Sequence, residues 1–244
     1  MKAVIFSGTT EGRELSRAVA ALGADVTVCV ATDLGAEEQG CAPGITVRAG
    51  RLDAGEMTAL LQGAALCVDA THPYATEATR NIRAAATAAG VAYHRLLRPA
   101  SDLPAGSVVL ETAAQAAAYL AAKPGNVLLA TGAKELPAFA ALDPARLYPR
   151  VLPTLAGITA CEAAGIPHRN IIAMQGPFTL ELNVALLRQF AIAAMVTKDG
   201  GAAGGFAEKA EAAARCGVQL IVLRRPEEQG ENAETILQRC RGLL

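Results

Sequence analysis

Residues 2–13, KAVIFSGTTEGR, decide the fold class of this 244-residue chain. The apolar run Lys2–Phe6 is typical of a buried strand, and the segment that begins near Glu11 has the apolar spacing of a helix. Between them, Gly8 allows a tight turn and Gly12 allows the helix to pack closely on the strand. A strand, a glycine-containing turn and a helix in this order predict the first βαβ unit of a parallel sheet.

The same alternation of strand and helix continues along the chain. Strands are predicted at residues 25–31, 45–48, 65–70 and 91–97, and then at 127–131, 147–152, 170–174, 193–197 and 218–223. Helices are predicted at residues 54–62 and 73–89, and then at 154–164, 178–190, 205–215 and 233–241. Residues 98–106 contain prolines and a glycine and form the predicted linker.

This alternation predicts an α/β protein made of two doubly wound Rossmann-like lobes, with mainly parallel sheets and an interlobe cleft. We expect a dinucleotide-binding lobe over residues 1–99 and a second, substrate-binding α/β lobe over residues 100–244. Ligands of such folds bind beyond the carboxyl ends of the strands. The loops that follow strands are therefore the candidates for function.

The composition argues against several classes of protein. The net charge is −1, so we expect no nucleic-acid partner, and an anionic ligand must be met by local clusters of cations. No run of about 18 apolar residues occurs, so no membrane span is expected. None of the six cysteines lies in a Cys-x-x-Cys pair, so the sequence predicts a reduced, cytoplasmic protein without a metal site of its own.

The loop after the first strand is the candidate for cofactor binding. The helix N-terminus there offers backbone N–H groups and a positive dipole end to a pyrophosphate. The acidic residue that holds a ribose in NAD enzymes would be Asp33, whereas Thr32 and Arg13 would favour the 2′-phosphate of NADP. An ordinary turn with a packing glycine is the alternative interpretation. The candidate residues of this loop are Gly8, Thr9, Thr10, Glu11, Gly12 and Arg13.

The second candidate loop is DATHPYA, residues 69–75. Its predicted strand ends near residue 70 and its helix begins at Pro73, so Thr71 and His72 project from the carboxyl edge of the sheet. We assign Thr71 to the cofactor, and His72 and Tyr74 to catalysis, because a histidine can donate a proton near neutral pH. The alternative is that Thr71 or His72 only caps the helix. Asp69, which precedes the edge, is predicted to be structural.

The second half of the chain carries cations and glycines at the ends of its strands. Lys134 follows the strand that ends at Thr131 and the glycine after it, Gly132. A glycine-rich run follows Lys198, which suggests close approach of a ligand or a mobile lid. Lys198 is a further catalytic candidate. Arg98 and Arg225 rank after these cations as candidates for binding the same anionic ligand. The candidate substrate-binding residues are Lys134, Arg150, Gln175, Asp199, Gly200 and Lys209.

Taken together, these loops resemble those of the precorrin-6A/cobalt-precorrin-6A reductase family. Ser7 replaces a glycine that is usual there, and Gly200 stands where a serine is common. The matching strings span nearly the whole chain in the family's order: GTTEGR (8–13), DATHPYA (69–75), RLLRP (95–99), TGAKEL (131–136) with Phe139, YPRVLP (148–153), QGPF (175–178), ELN (181–183), KDGG (198–201), GGF (204–206), EK (208–209) and RP (225–226).

The resemblance implies reduction of the C18=C19 bond of precorrin-6A, or of its cobalt form, to precorrin-6B in cobalamin biosynthesis. The hydride would come from NADPH, with NADH as the alternative, and any cobalt would belong to the substrate. The substrate is a large tetrapyrrole edged with carboxylates, which the predicted cations would meet. The proton source is left open among His72, Tyr74, Lys198 and bound water. Other enzymes of the pathway are candidate partners through product hand-off.

Two other classes of protein compete with this interpretation. A non-catalytic, redox-sensing NAD(P)-binding module would share the first loop, but it would have no need of the second lobe with its cations. A short-chain reductase of small carbonyls would need a Tyr-x-x-x-Lys pair, and Tyr119 and Lys123 have that spacing. Lys123 lies at the end of an Ala-rich segment, just before a proline and a glycine, which argues against that role.

Overall fold

The computed structural model describes residues 1–97, 101–201, 204–227 and 229–244. The chain divides into two compact units, unit 1 comprising Met1–Arg98 with Pro226–Leu244, and unit 2 comprising Pro99–Arg225. Each unit is built on a parallel sheet, which confirms the predicted fold class of two Rossmann-like α/β lobes. Among the described residues, no helix combines the length and the apolar character that a bilayer crossing requires.

Unit 1 alternates strands and helices along the chain. Its strands are β1 (Lys2–Phe6), β2 (Asp25–Val30), β3 (Ile45–Ala49), β4 (Leu66–Asp69) and β5 (Tyr93–Arg95). Its helices are α1 (Thr10–Ala21), α2 (Asp33–Gln39), α3 (Ala54–Leu61), α4 (Thr76–Ala89) and, from the end of the chain, α9 (Ala233–Leu243). The strands are all parallel and follow the order β3-β2-β1-β4-β5.

Alternate residues of these strands build apolar cores on the two faces of the sheet. Ala3 and Ile5 belong to the core that includes α1, whereas Val4 and Phe6 belong to the core that includes α3 and α4. The strand order reverses between β1 and β4, so the carboxyl ends of these two strands border the crevice in which doubly wound folds bind ligands. Both predicted loops of the first half follow these strands.

Unit 2 repeats this architecture with a larger sheet. Its strands are β6 (Val108–Leu110), β7 (Asn126–Ala130), β8 (Leu147–Val151), β9 (Ile172–Ala173), β10 (Ile192–Lys198) and β11 (Gln219–Leu223). Its α-helices are α5 (Ala113–Ala121), α6 (Leu155–Ala163), α7 (Leu180–Gln189) and α8 (Phe206–Cys216), and Ala133–Phe139 is a 3₁₀ helix. The strand order is β6-β11-β10-β7-β8-β9, so the winding reverses between β10 and β7.

The end of the chain departs from the predicted domain boundaries. The sequence assigned residues 100–244 to the second lobe, but residues 226–244 belong to unit 1. Helix α9 buries Ile236 and Cys240 completely in the same core as Leu15 and Val19 of α1. The apolar face of α9 therefore contributes to the first sheet's core.

Several local predictions also need correction. Helix α4 begins at Thr76, so Pro73 is not its first residue, and its N-cap is Ala75, so neither Thr71 nor His72 caps it. Asp33 lies in the first turn of the short helix α2, which the sequence had not predicted. The predicted strand 170–174 is reduced to Ile172–Ala173, because a 3₁₀ turn takes up residues 168–170. Part of the predicted linker, residues 98–100, lies outside the described residues.

Candidate functional site

The turn between β1 and α1 is fastened to the end of β4 by one threonine. Thr9 is the N-cap of α1, and its hydroxyl accepts a hydrogen bond from the Gly12 amide at 3.0 Å. The same hydroxyl donates to the Ala70 carbonyl at 3.0 Å. The two loops that the sequence singled out in unit 1 are thus in direct contact at the point where the sheet reverses its order.

The two glycines of this turn have different tasks. Gly8 has a φ of +137°, and a Cβ placed on it would meet no atom within 4 Å. Its backbone therefore borders open space that a ligand can enter. A Cβ on Gly12, in contrast, would lie 2.5 Å from Ser7 Oγ and 2.9 Å from the Ala70 Cβ. Gly12 is thus the close-packing position that the sequence predicted.

These residues fit a dinucleotide phosphate. The Ser7 hydroxyl is buried at the carboxyl end of β1 and has no hydrogen-bond partner among the described residues. A buried polar group without a partner is costly, so this hydroxyl is suited to an external acceptor. The N-terminus of α1 supplies backbone N–H groups and a positive dipole end at the same place. Ser7, which departs from the family's glycine, therefore adds a donor to the loop.

Two other predicted cofactor residues make local contacts. Arg13 donates from Nη1 to the Glu38 carbonyl at 3.0 Å, which ties α1 to the end of α2. Thr32 caps α2, accepting from the Gly35 amide at 3.1 Å. Both side chains thus hold α2 in place, and contact of either with a 2′-phosphate stays a prediction.

A buried ion pair supports the second loop. Asp69 is fully buried, and its Oδ1 accepts from Arg95 Nη1 at 2.7 Å, while Arg95 itself is 3% exposed. The Thr71 hydroxyl donates to the same Oδ1 at 2.7 Å, and the Tyr93 hydroxyl donates to Oδ2 at 3.0 Å. Burial and the neighbouring Asp69 raise the pKa of Tyr93, so the phenol stays protonated. Asp69 is structural, as predicted, and it orients Thr71.

The His72 ring is oriented by its own loop. Its Nδ1 accepts from the Tyr74 amide at 3.3 Å, and the His72 carbonyl accepts from the Ala75 amide at 2.8 Å. In a neutral ring whose Nδ1 accepts, the proton is on Nε2, so the ring is a hydrogen-bond donor there. The Tyr74 ring lies 5.5 Å away between centroids. The catalytic roles of these two residues stay predictions.

In unit 2, an ion pair links the end of β10 to the segment that follows β7. Lys198 Nζ lies 2.7 Å from Glu135 Oε1, across the point where the winding of this sheet reverses. The Thr131 hydroxyl, at the end of β7, is buried and has no hydrogen-bond partner among the described residues. Gly132 follows it with a φ of +83°, and a Cβ placed on it would meet no atom within 4 Å. This corner repeats the arrangement of Ser7 and Gly8 in unit 1.

Arg150 is held in a fixed orientation at the end of β8. Its Nη1 donates to Asn183 Oδ1 at 2.8 Å, and its guanidinium lies 4.0 Å from the Phe178 ring centroid. Asn183 in turn donates to the carbonyls of Phe178 and Thr179. Burial lowers the pKa of Arg150 to about 10, which still leaves it charged at neutral pH. The sequence did not predict that Asn183 and Phe178 would position this cation.

Lys209 is a second buried cation of unit 2. It is 8% exposed on α8. Burial, with a smaller contribution from the Arg150 charge, lowers the pKa of Lys209 to about 8, against the opposing effect of Glu208 and Asp199. Asp199 accepts the Gly201 amide at Oδ1 and the Ser101 amide at Oδ2, so it supports the loop after β10. A contact between Asp199 and substrate stays a prediction.

The remaining substrate candidates vary in exposure. Lys134 and Gln175 are exposed, whereas Gly200 is buried, and a Cβ on it would lie 3.3 Å from the Gly204 Cα. Arg98 and residues 202–203 of the glycine-rich run lie outside the described residues. No group of three or more His, Cys, Asp or Glu residues within the described ranges has the geometry to hold a metal ion.

Two parallel α/β units, the first with a glycine-containing turn at its topological switch point, define a protein of the Rossmann-like α/β class. The family described as "Precorrin-6x reductase CbiJ/CobK" matches this sequence over residues 2–241. The chain belongs to this family, which is a family of oxidoreductases, and the resemblance predicted from the loops is confirmed.

Relatives from several organisms are similar in sequence to this protein along nearly its whole length. A cobalt-precorrin-6A reductase of Priestia megaterium is 37% identical over 231 residues, covering 92% of this chain and 90% of that protein. A precorrin-6A reductase of Rhodobacter capsulatus is 29% identical over 246 residues, covering 99% of this chain and 94% of that protein. The solved structure named "CobK precorrin-6A reductase" superposes with a TM-score of 0.79 at 26% identity, covering 98% of this chain and 96% of the other.

Proposed function

We propose that this chain reduces the C18=C19 double bond of precorrin-6A, or of cobalt-precorrin-6A, to the corresponding precorrin-6B in cobalamin biosynthesis. The observation that carries the proposal is the 37% identity to a cobalt-precorrin-6A reductase over nine tenths of both chains. We place the reaction in the cytoplasm, with a tetrapyrrole as the substrate and with other enzymes of the pathway as partners in product hand-off. Bound NADPH supplies the hydride, with NADH as the alternative.

Unit 1 holds the cofactor in this proposal. The N–H groups at the start of α1 and the Ser7 hydroxyl bind its phosphates, and Gly8 leaves room for them. NADPH is the proposed cofactor because Thr32, after β2, and Arg13, after β1, would favour a 2′-phosphate, whereas Asp33, directly after Thr32, keeps NADH as the alternative. Thr71, held by Asp69, borders the part of the crevice nearer β4.

Unit 2 meets the carboxylates of the macrocycle in this proposal. Arg150, Lys198 and Lys209 are cations placed by a hydrogen bond, an ion pair and burial, respectively. Fixed cations cost little reorganisation when an anion arrives, so they orient the substrate effectively. The exposed side chains of Lys134 and Gln175 add further contacts to the substrate at the edge of its binding site. For the proton, we favour His72, because its ring is a donor at Nε2 when Nδ1 accepts.

Purified protein mixed with each substrate and each cofactor tests the proposal. We expect the visible spectrum of precorrin-6A to change on addition of NADPH, with metal-free and cobalt-loaded substrate assayed side by side. A smaller rate with NADH would support the cofactor preference. If the cofactor binds and the absorbance of both substrates stays unchanged, the chain is a redox-sensing module and the proposed function is wrong.

Lys198→Ala should weaken substrate affinity about tenfold while changing cofactor affinity by less than twofold. The reason is that Lys198 lies at the carboxyl end of β10 in unit 2, beside Glu135, whereas the cofactor loop lies in unit 1. Substrate and cofactor dissociation constants from separate titrations check this. Equal losses of substrate and cofactor affinity would contradict the placement of Lys198 at the substrate. Lys123→Ala, which removes a lysine at the other end of the sheet, serves as the control.

The pH dependence of Lys209 gives another prediction. Its pKa is about 8 in the folded chain against an ordinary value of 10.5, so the unfolded chain binds more protons between these two values. The contribution of Lys209 to the free energy of unfolding therefore rises as pH increases from about 8 to about 10.5. In the same interval Lys209 loses its charge, so the KM for a polycarboxylate should rise.

Lys209→Arg should weaken both trends, because the ordinary pKa of arginine is higher than that of lysine and its charge is therefore kept to a higher pH. Urea unfolding and KM, measured between pH 7 and pH 10 for wild type and variant, provide the check. Lys123→Arg is the control for the loss of one exposed lysine. Parallel pH profiles for wild type and Lys209→Arg would show that Lys209 does not titrate in this range.

A further inference from the structure

We propose that a cavity in unit 1, outside the two loops already described, binds carboxylate side chains of the tetrapyrrole through Arg80 and Arg83. The cavity has a volume of about 960 Å³ and is lined by residues of α4, by Arg95 of β5, and by Pro226, Glu227 and Gln229. This volume is in the range of small-molecule sites. The ligand assignment rests on the proposed function, and it gives unit 1 a share in substrate recognition that the sequence had assigned to the second lobe.

One face of α4 gives the cavity its chemistry. Thr76, Thr79, Arg80 and Arg83 line it, and their spacing of three and four residues places them along one side of the helix. Like charges three residues apart destabilise a helix unless something offsets them. Among the described residues, neither Arg80 nor Arg83 forms an ion pair with a carboxylate. An anionic ligand would supply the missing counter-charge.

Among the described residues that line the cavity, the cations outnumber the acids. Arg95 also lines it, but Asp69 pairs with that guanidinium at 2.7 Å. Glu227 contributes one carboxylate to the wall, against the two exposed guanidinium groups of Arg80 and Arg83. Arg83 lies 5.1 Å from the Tyr93 ring centroid, which limits the freedom of its side chain. Guanidinium groups bind carboxylates in a bidentate manner, which suits an acid-edged ligand.

Hydrogen bonds connect the cavity to the cofactor crevice within unit 1. Arg95 Nη1 donates to the Thr71 hydroxyl at 3.2 Å, and the Thr71 and Thr79 hydroxyls lie 3.4 Å apart. Thr71 follows β4, on the side of the switch point away from β2 and β3. A substrate that reacts near this loop can therefore extend an acidic side chain over Arg95 toward α4. This proximity favours the tetrapyrrole over an unrelated anion as the occupant.

The test is the double variant Arg80→Ala/Arg83→Ala in the full chain. Its affinity for uroporphyrin, a porphyrin octacarboxylate that is not reduced, is measured by fluorescence quenching, and NADPH affinity is measured separately. We expect uroporphyrin affinity to fall at least tenfold, NADPH affinity to change less than twofold, and KM for precorrin-6A to rise in parallel. The uroporphyrin affinity of Arg80→Lys/Arg83→Lys should lie between those of wild type and the alanine double variant, because lysine keeps the charge and loses the bidentate geometry.

The control removes two exposed arginines of unit 2, Arg169→Ala/Arg188→Ala, and should bind both ligands as wild type does. Uroporphyrin affinity of the α4 double variant within twofold of wild type, or no binding of uroporphyrin to wild type, would overturn the proposal. If the double variant loses NADPH affinity alone, the cavity belongs to the cofactor, and this outcome would also overturn the proposal. If wild type binds uroporphyrin through these arginines yet reduces no precorrin-6A, the cavity stands and the proposed function fails.

Discussion

Asp69→Asn is expected to lower the free energy of unfolding of unit 1 by about 3–5 kcal/mol, the usual cost of removing one charge of a buried ion pair. Asp69 is fully buried and Arg95 is 3% exposed, so water cannot replace the lost carboxylate. The amide keeps the size of the side chain, but it cannot balance the guanidinium. Since the two units need not unfold together, hydrogen exchange at the amides of β1 and β4 is the suitable measurement.

Two further variants isolate the cause. Asp33→Asn removes an exposed carboxylate at the start of α2 and should change stability by less than about 0.5 kcal/mol. Asp69→Asn/Arg95→Met removes both charges and should recover part of the loss, since a buried pair can often be replaced by apolar groups. If the double variant is less stable than Asp69→Asn, the packing of the Arg95 side chain matters more than the loss of its ion pair with Asp69.

The repeated pattern of strands and helices could be predicted because buried parallel strands and amphipathic helices differ in their apolar spacing. Helix α2 was missed because its sequence, DLGAEEQ, has no apolar stripe and buries only Gln39. The helix is held by polar contacts instead, such as the 2.9 Å hydrogen bond from Gln39 Nε2 to Ser16 Oγ. Such contacts join residues distant in the sequence and leave no periodic signal.

The position of α9 could not be predicted for a related reason. Its apolar residues Ile236 and Cys240 show that one face is buried, but a stripe of this kind does not say which sheet it packs on. After β11 the chain returns to unit 1, where Leu96 and Glu231 form a parallel bridge. This pairing of residues far apart in sequence is what moves residues 226–244 to the first unit.

The loops of the candidate site were predicted because the carboxyl ends of parallel strands meet at one edge. Arg95 was missed because a charged residue at the end of a short strand is typical of an exposed edge. Asp69 and Arg95 are nevertheless direct partners in the register of β4 and β5, each at the last position of its strand. A carboxylate and a guanidinium at matching ends of consecutive predicted strands were the available signal.

Gly12→Ala is expected to lower NADPH affinity at least tenfold and the free energy of unfolding by about 1–3 kcal/mol, as for other overpacked sites. The new Cβ would lie 2.5 Å from Ser7 Oγ and 2.9 Å from the Ala70 Cβ, so α1 must move away from the ends of β1 and β4. That movement displaces the N–H groups that would bind the pyrophosphate and strains the Thr9 hydrogen bonds to Gly12 and Ala70. NADPH titration and urea unfolding measure the two effects.

Gly242→Ala is the matched control, since it adds the same methyl group to a helical glycine of the same unit. A Cβ on Gly242 meets no atom within 4 Å, so this variant should be more stable by about 0.5–1 kcal/mol because alanine favours the helix. NADPH affinity should be unchanged, because α9 shares a core with Leu15 and Val19 of α1, which lie beyond the first turn of that helix. If Gly12→Ala binds NADPH as tightly as Gly242→Ala does, the turn after β1 is a packing feature alone, and the cofactor binds elsewhere in the chain.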